Sequence, residues 1–302
     1  PTAAQMLLDE IRRVSTRCWT LMEVCGGQTH GLLRHGIAAE LQGTVELIHG
    51  PGCPVCVTDQ ADIDFACQLA EQPDVIVTSF GDMLRVPGSQ GSLLDARTRG
   101  GQVRIVYSPL DAVELARKQP GKQVVFFAVG FETTAPATAL AVKQAAQYQL
   151  DNFSLIVSHV RAQPAMDNRV QAFLAAGHVC TVMGYESYGR FVDRYQLPVV
   201  VTGFEPLDLL EGILACVRQL EAGESRLENC YSRAVQGAGN RSARDLVHAI
   251  YQISDRRWRG FGRIPAGGLS LQEQWKRFDA RVRFSDCGLP VILSTECRSF
   301  DV

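Results

Sequence analysis

Residues 124–158 read VVFFAVGFETTAPATALAVKQAAQYQLDNFSLIVS and contain one complete strand–helix–strand unit. The apolar runs Val124–Val129 and Ser154–Ser158 have the length and the β-branched and aromatic content of buried strands. Between them, Ala135–Tyr148 has the periodicity of a helix. Parallel strands require such a crossover helix, so this stretch predicts an α/β fold with a parallel sheet.

The same alternation continues on both sides of this unit. Further strands are predicted at Cys18–Val24, Val45–His49, Asp74–Thr78, Val103–Tyr107, Val179–Met183 and Val199–Thr202. Further helices are predicted at Asp62–Ala70, Ala112–Lys118, Asn168–Ala176, Leu207–Glu221 and Ala243–Ile253.

The strands fall into two groups, separated by the polar segment KQPGK at 118–122. We therefore predict two similar parallel-sheet α/β domains, 1–117 and 118–205, which face a cleft. Residues 206–302 are predicted to form a mostly helical and irregular segment that packs back on both domains.

Composition narrows the class of protein. The chain has 302 residues, of which 46% are hydrophobic and 21% charged, and its net charge is -2, which is typical of a folded globular protein. No basic block interleaved with aromatic residues is present, which argues against nucleic acid as a partner. The sequence has neither a long apolar run nor a basic-then-apolar N-terminal segment, so we expect a cytoplasmic protein without a membrane partner.

The loops that follow the predicted strands carry most of the chemically versatile residues. In open parallel sheets, ligand sites form at the carboxyl ends of the strands. We expect these loops to line one cleft with Cys25, His30, Cys53, Cys56, Asp82, Glu132 and Thr133.

The loop Gly50–Cys56, GPGCPVC, places Cys53 and Cys56 in one turn after a strand. Such thiols can form a disulfide or hold one metal ion, and a helix starting there would favour the reactive thiolate. A zinc site would require a second pair with similar spacing, which the sequence lacks. We therefore favour a redox role over a zinc site or incidental burial.

A second loop, Cys25–His30, reads CGGQTH. Gly26 and Gly27 let the backbone approach a ligand and leave the Cys25 thiol accessible, while His30 could ligate a metal or move a proton. Together with the nearby cysteine pair, Cys25 completes a set of three thiols that suits iron, copper(I) or zinc.

A third loop, Gly130–Pro136, reads GFETTAP. Thr133 or Thr134 would ordinarily cap the following helix. Alternatively, these hydroxyls and the Glu132 carboxylate could face a bound anion or the metal site. The sequence contains neither a phosphate-binding glycine motif nor a serine-hydrolase elbow.

These motifs resemble those of the HypD family of nickel–iron hydrogenase maturation factors. The matching segments are MEVCGGQTH (22–30), ELIHGPGCPVCVTD (46–59), SFGDMLRVPGSQGSLLDAR (79–97), VRIVYSPLDAVELA (103–116), VVFFAVGFETTAPATA (124–139), GFEPLDLL (203–210), WRGFGRIP (258–265) and RFDA (277–280).

The resemblance implies a protein that holds iron while cyanide and carbon monoxide ligands are attached to it. It also implies a HypC-type small chaperone and a HypE-type cyanide donor as partners. Cys25 matches the cysteine thought to bind the iron, and Cys53 and Cys56 match a pair implicated in thiol–disulfide electron transfer.

Two departures from the family pattern bear on function. The family motif usually reads CGGHTH, whereas Gln28 stands here at its first histidine. Family members end in a cysteine-rich segment that binds a four-iron cluster, whereas Cys287 and Cys297 supply two thiols near Val302. Either the sequence ends before that segment, or the protein lacks the cluster, in which case we expect it to purify without four irons.

Two other functions stay open at this point. A stand-alone thiol–disulfide oxidoreductase would need only Cys53 and Cys56, and an iron-delivery module would bind metal without redox turnover. A simple oxidoreductase has no need of Cys25, His30 and the GFETT loop.

Overall fold

The computed structural model describes residues 2–162 and 170–285. The strands are β1 (Trp19–Glu23), β2 (Val45–His49), β3 (Val75–Ser79), β4 (Val103–Ile105), β5 (Gln123–Gly130), β6 (Phe153–His159), β7 (Ala172–Ala176), β8 (Val199–Thr202), β9 (Leu227–Asn229), β10 (Tyr251–Trp258) and β11 (Gly262–Leu271). The helices are α1 (Ala3–Val14), α2 (Gly26–Arg34), α3 (Ile37–Glu40), α4 (Gln60–Ala70), α5 (Leu93–Thr98), α6 (Pro109–Lys118), α7 (Ala135–Gln147), α8 (Gly177–Met183), α9 (Gly189–Tyr195), α10 (Pro206–Glu221), α11 (Arg241–Ile250) and α12 (Ala280–Arg283). Over these residues, none of the helices has the length and apolar character needed to cross a membrane.

The strands form two parallel sheets and one antiparallel pair. The first sheet has the order β2-β1-β7-β8-β9, and the second has the order β4-β3-β5-β6. Every pairing within these two sheets is parallel, whereas β10 and β11 pair antiparallel. The predicted fold class, two parallel-sheet α/β domains, is therefore confirmed.

The chain divides into two compact units, each built around one parallel sheet. Unit 1 combines described residues 2–53 and 170–244, and unit 2 combines described residues 54–162 and 245–285. The predicted boundaries at 117/118 and 205/206 differ from this division. The reason is strand pairing: β1 pairs with β7, and β3 pairs with β5, so each unit takes strands from both halves of the chain.

Unit 1 buries an apolar layer on each face of its sheet. On one face, α1 and α10 cover the sheet. Ile11 of α1 and Ile213 of α10 belong to one apolar cluster with Leu21 of β1, and all three have 0% exposure. On the other face, Phe173 and Val201 are also fully buried, among side chains that include Val192 of α9. Burial on both faces explains why these strands are continuously apolar.

Unit 2 has the same layered plan around β5. Phe126 faces the side covered by α6 and α7, and Phe127 faces the side covered by α4 and α5. The segment after α11, predicted to be irregular, instead contains the β10–β11 hairpin. A backbone bridge joins Val160 to Gly268 and fixes this hairpin beside β6.

Two neighbouring segments have the opposite secondary structure to that predicted. Residues 172–176, AFLAA, were expected to end a helix but form strand β7, whereas Val179–Met183 was expected to be a strand but belongs to helix α8. Alanine favours helix and β-branched residues favour strand, yet β7 is a central strand between β1 and β8 and is buried throughout. Tertiary packing therefore overrides local propensity at this position.

Candidate functional site

Cys25 lies just beyond the carboxyl end of β1, where the chain turns into α2. It is the N-cap residue of α2, with extended backbone angles (φ -146°, ψ 126°), and its sulfur accepts a hydrogen bond from the Gly27 amide at 3.4 Å. Its carbonyl oxygen accepts the Gln28 amide at 2.9 Å. The thiol is therefore held at the sheet edge where ligand sites form in parallel α/β proteins.

A histidine outside the CGGQTH motif contacts this thiol. Nδ1 of His178, in α8, lies 3.8 Å from the Cys25 sulfur. The expectation that the Cys25 thiol is accessible is wrong, because the residue is only 8% exposed. Burial raises the pKa of the thiol, an effect that the Gly27 and Gln28 amides partly offset. Burial also lowers the pKa of His178. The pair is therefore a neutral thiol beside a neutral imidazole at neutral pH.

The buried carboxylate of Glu23 organises the same loop. It has 0% exposure and accepts the Cys25 amide at 2.9 Å and the Thr29 hydroxyl. His49 Nδ1 approaches the same carboxylate at 2.8 Å. A carboxylate can accept several hydrogen bonds at once, so this one side chain connects β1, α2 and the end of β2.

The glycines around Cys25 permit a close backbone approach. The Gly26 amide donates to the Gly52 carbonyl at 3.4 Å. A Cβ at Gly52 would lie 2.2 Å from the Gly26 nitrogen and 2.6 Å from the Cys25 carbonyl carbon. A glycine at position 52, within GPGCPVC, is therefore required for this packing against Cys25. Gly26 and Gly27, expected to bind a cofactor, are both exposed at the start of α2.

Cys53 and Cys56 are both disulfide-bonded. The described cysteines outside this pair are not in disulfides, namely Cys18, Cys25, Cys67, Cys180, Cys216 and Cys230. Residues 54–57 form a turn, and α4 begins only at Gln60, with Asp59 as its N-cap. The pair therefore does not lie at a helix start, and that proposed source of thiolate activation is absent there. Cys56 is exposed, while Cys53 is half-buried.

The GFETTAP loop belongs to unit 2 and precedes α7. Glu132 is buried, its carboxylate accepts the Ala162 amide at 3.2 Å, and burial raises its pKa. Thr134 occupies the N-cap position of α7, but its hydroxyl makes no capping hydrogen bond. It donates instead to the Phe131 carbonyl at 3.0 Å and lies 3.4 Å from Nδ1 of His159. Thr133 is half-buried.

His159 ends strand β6 and is fully buried behind this loop. Its Nε2 lies 3.2 Å from the Thr138 hydroxyl, and its ring packs edge-on against Tyr251 at 5.7 Å. Burial lowers its pKa to about 4, so the imidazole is neutral at physiological pH. Nothing in SLIVSHV distinguishes His159 from an ordinary strand end, so the sequence does not indicate it.

Two residues of the CGGQTH loop differ in exposure. His30 is exposed on α2, and the imidazole beside the thiol is that of His178. Gln28 is fully buried, and its side-chain amide donates to the Ala175 carbonyl at 3.3 Å. Gln28 thus links α2 to β7, a structural role that the sequence did not indicate.

Metal-binding groups are sparse within each unit. Among residues 2–162 and 170–285, no group of three or more His, Cys, Asp or Glu side chains could hold a metal ion. Cys287 and Cys297, the expected iron–sulfur ligands, lie outside the described residues.

The fold and these loops define a class of protein: an α/β protein with two parallel sheets and with cysteines in the loops after β1 and β2. The family model for HypD, described as hydrogenase formation hypA family, matches residues 2–302. The chain belongs to the HypD family.

Curated relatives agree with this assignment. The chain is 45% identical to hydrogenase maturation factor HypD2 of Bradyrhizobium diazoefficiens over 281 residues, covering 88% of this chain and 74% of that protein. It is 43% identical to hydrogenase maturation factor HypD of Escherichia coli over 299 residues, covering 94% and 80%. Identity to the protein of the same name from Rhodobacter capsulatus is 42% over 302 residues, covering 94% and 79%.

Proposed function

We propose that this protein is a hydrogenase maturation factor that holds iron through Cys25 while cyanide and carbon monoxide ligands are attached. The observation that carries the proposal is the thiol of Cys25 at the carboxyl edge of a parallel sheet, in a chain 42–45% identical to named maturation factors. A thiolate is a suitable ligand for iron that also carries strong-field ligands, because soft sulfur binds this metal well.

An assembly scaffold should contribute only a small number of protein ligands to the metal ion. A metal site that keeps open coordination positions can accept exogenous groups, whereas a closed site cannot. Cys25 supplies one sulfur, and the remaining positions would be filled by cyanide, carbon monoxide and a partner. Iron is in this sense the cargo of the protein.

The Cys53–Cys56 motif would supply electrons for this assembly. Oxidation of the two thiols to one disulfide releases two electrons and two protons. Both cysteines are disulfide-bonded here, so an external thiol would first have to reduce them, becoming a disulfide itself. The exposure of Cys56 suits attack by an external thiol. In unit 2, burial raises the pKa of the Glu132 carboxyl, which would therefore hold a proton during this assembly. The hydroxyls of Thr133 and Thr134 would contact a bound anion or the metal site.

The partners we propose are a HypC-type small chaperone, which would share the iron, and a HypE-type protein, which would donate cyanide. We place their action in the cytoplasm. A stand-alone thiol–disulfide oxidoreductase remains the second candidate, because the oxidised Cys53 and Cys56 alone would suffice for it.

Iron retention separates the two candidates. The chain is purified without oxygen together with its small partner, as wild type, Cys25→Ala and Cys18→Ala, where Cys18 is an exposed control thiol. We expect iron in the wild type and in Cys18→Ala and its loss in Cys25→Ala. The melting temperature of Cys25→Ala should fall by about 4–8 °C, because loss of the N-cap and of a buried sulfur together costs about 2 kcal/mol. Full iron retention by Cys25→Ala would contradict the proposal.

A further inference from the structure

The tip of the β10–β11 hairpin contacts the turn that carries Cys56, and both belong to unit 2. The Arg259 amide donates to the Val57 carbonyl at 2.9 Å, one residue beyond the exposed Cys56. Thr58 closes the same turn, because its hydroxyl donates to the Pro54 carbonyl at 2.9 Å. The backbone on both sides of Cys56 is therefore held in place.

The hairpin tip is itself anchored in unit 2. Trp258, which precedes Arg259, is only 2% exposed, and its indole nitrogen donates to the Gly267 carbonyl at 3.1 Å. The indole ring packs edge-on against Phe131 with a centroid distance of 6.4 Å. The side chain of Arg259 extends to the loop before α5, where its Nη2 donates to the Pro87 carbonyl. The backbone and the guanidinium of Arg259 are therefore both fixed.

Arg259 differs from the arginines around it, because no carboxylate of the described residues forms an ion pair with it. The neighbouring arginines all have such partners: Arg256 and Arg281 pair with Asp62, Arg257 with Asp59, and Arg263 with Asp255. The Nε of Arg259 is also buried, and it has no hydrogen-bond acceptor within the described part of the chain. A buried donor without an acceptor is unfavourable, so this position favours an anion that forms beside it.

The other charges next to the Cys56 turn offset each other. Asp59 is the N-cap of α4, three residues beyond Cys56, and burial raises its pKa. Arg257 lies 3.7 Å from the Asp59 carboxylate and offsets its negative charge. The charge of Arg259 is not offset in this way. The turn therefore lies in a positive potential, which favours a thiolate over a thiol.

We propose that Arg259 is a positioning residue for the Cys53–Cys56 pair, which holds the Cys56 turn and provides the cationic partner of the Cys56 thiolate when the disulfide is reduced. The inference rests on the redox role in the proposed function and deepens it, because it names a residue that controls the reactivity of the pair.

Reduction by a small dithiol proceeds in two balanced exchanges. One thiolate of the dithiol attacks the exposed Cys56 sulfur, the bond to Cys53 breaks, and Cys53 leaves as a thiolate that takes a proton from solvent. The second thiolate of the dithiol then attacks the first sulfur, so that Cys56 leaves as a thiolate and the dithiol becomes a cyclic disulfide. A thiolate of lower pKa leaves faster, so the guanidinium accelerates this second exchange.

The test measures alkylation of Cys56 in the full chain carrying Cys53→Ser, in which the disulfide cannot re-form. The pH dependence of labelling by iodoacetamide, followed by mass spectrometry of the Cys56 peptide, gives the midpoint of thiol ionisation. Arg259→Gln should raise this midpoint by at least about 0.5 pH unit and slow labelling at neutral pH by about threefold, because a nearby opposite charge is lost. Arg259→Lys keeps the charge and should label within about twofold of the parent.

Arg263→Gln is the matched control. It removes one positive charge from the same hairpin, at an exposed position that is paired with Asp255. Its midpoint should equal that of the parent. Added salt should raise the midpoint of the parent towards that of Arg259→Gln, because screening weakens the interaction between charges. Loss of a purely structural contact would not produce this response.

An Arg259→Gln midpoint equal to that of the parent, with an intact circular dichroism spectrum, would overturn the inference. Equal shifts in Arg259→Gln and Arg259→Lys would overturn it too, since charge would then not be the cause. If Arg259→Gln does not fold, the parent decides the matter, and a midpoint that does not rise with salt counts against the inference. These results leave the redox role itself untouched. That role fails instead if the wild-type pair labels equally before and after oxidation.

Discussion

The buried carboxylate of Glu23 and the side chain of His49 lie opposite each other in register at the ends of β1 and β2, 2.8 Å apart. Glu23 has no solvent exposure, whereas the His49 side chain is 37% exposed. The same carboxylate accepts the Cys25 amide and the Thr29 hydroxyl. This carboxylate therefore sets the conformation of the loop that presents the Cys25 thiol.

Replacing Glu23 by Gln should destabilise the protein. A glutamine has one acceptor oxygen and a donating amide, so it cannot accept all three hydrogen bonds. Loss of a hydrogen bond to a buried charged group costs about 2–3 kcal/mol, which corresponds to a fall in melting temperature of about 4–10 °C. Differential scanning calorimetry measures the change.

Glu46→Gln is the matched control for this variant. Glu46 lies on the adjacent strand β2 but is exposed, so its replacement should change the free energy of unfolding by less than about 0.5 kcal/mol. Equal melting temperatures for the two variants would show that the Glu23 carboxylate does not organise the loop.

Gly52→Ala should disturb the Cys25 loop without adding or removing any polar group. The new methyl would lie 2.2 Å from the Gly26 nitrogen, so the backbone has to move. Such overpacking costs about 1–3 kcal/mol. Gly121→Ala is the control, because a Cβ there meets no atom within 4 Å. Calorimetry should show a lower melting temperature for the first variant only, and equal values would refute the close packing.

Cys53 and Cys56 should form a disulfide that cycles between oxidised and reduced states. Alkylation followed by mass spectrometry should find both sulfurs blocked after mild oxidation and both labelled after treatment with a small dithiol. Cys67 serves as an internal reference, since burial raises its pKa to about 12 and it should label slowly in either state. If the pair labels equally in both states while the fold is intact, its redox role is wrong.

The buried His159 should make the protein lose stability on mild acidification. Its pKa is lowered to about 4 in the folded protein, from an ordinary 6.5. Between these values the unfolded chain binds a proton and the folded chain does not, so stability falls as the pH drops through this window, by about 3 kcal/mol in total. Urea unfolding of the full chain from pH 7 to pH 4 measures the slope.

His159→Gln should flatten this dependence, although the variant is less stable at pH 7. Burial raises the pKa of Glu132 in the same unit and acts in the opposite direction, but Glu132 is present in both proteins and cancels in the comparison. His35→Gln, at an exposed position, should retain the wild-type slope. An unchanged slope in His159→Gln would show that His159 is not the group responsible.

The sequence predicted most strands of the two sheets because strands buried on both faces are continuously apolar. β8, for example, is buried throughout and has the predicted bounds Val199–Thr202. The division into units was not predictable in the same way. Sequence order suggests that β1 to β4 belong together, whereas β1 pairs with β7 and β3 with β5. Long-range strand pairing leaves no local signal in the loops.

The candidate site was predicted in part. Motif spacing predicts Cys25 and, five residues later, His30, whereas the imidazole that contacts the Cys25 thiol is that of His178. Had residues 172–176 been assigned as β7, the rule of strand carboxyl ends would have selected His178. Glu23 was missed for another reason: a charged residue at the end of WTLME has no sequence signature of burial.

Infrared spectroscopy tests the central claim most directly. The full chain is purified anaerobically with its small partner after growth with ¹³C-labelled or unlabelled cyanide precursor, as wild type and as Cys25→Ala. The account predicts bands of iron-bound cyanide and carbon monoxide in the wild type, an isotope shift of the cyanide bands, and no such bands in Cys25→Ala. Wild-type protein that holds iron without these bands, or Cys25→Ala with the full set, would contradict it.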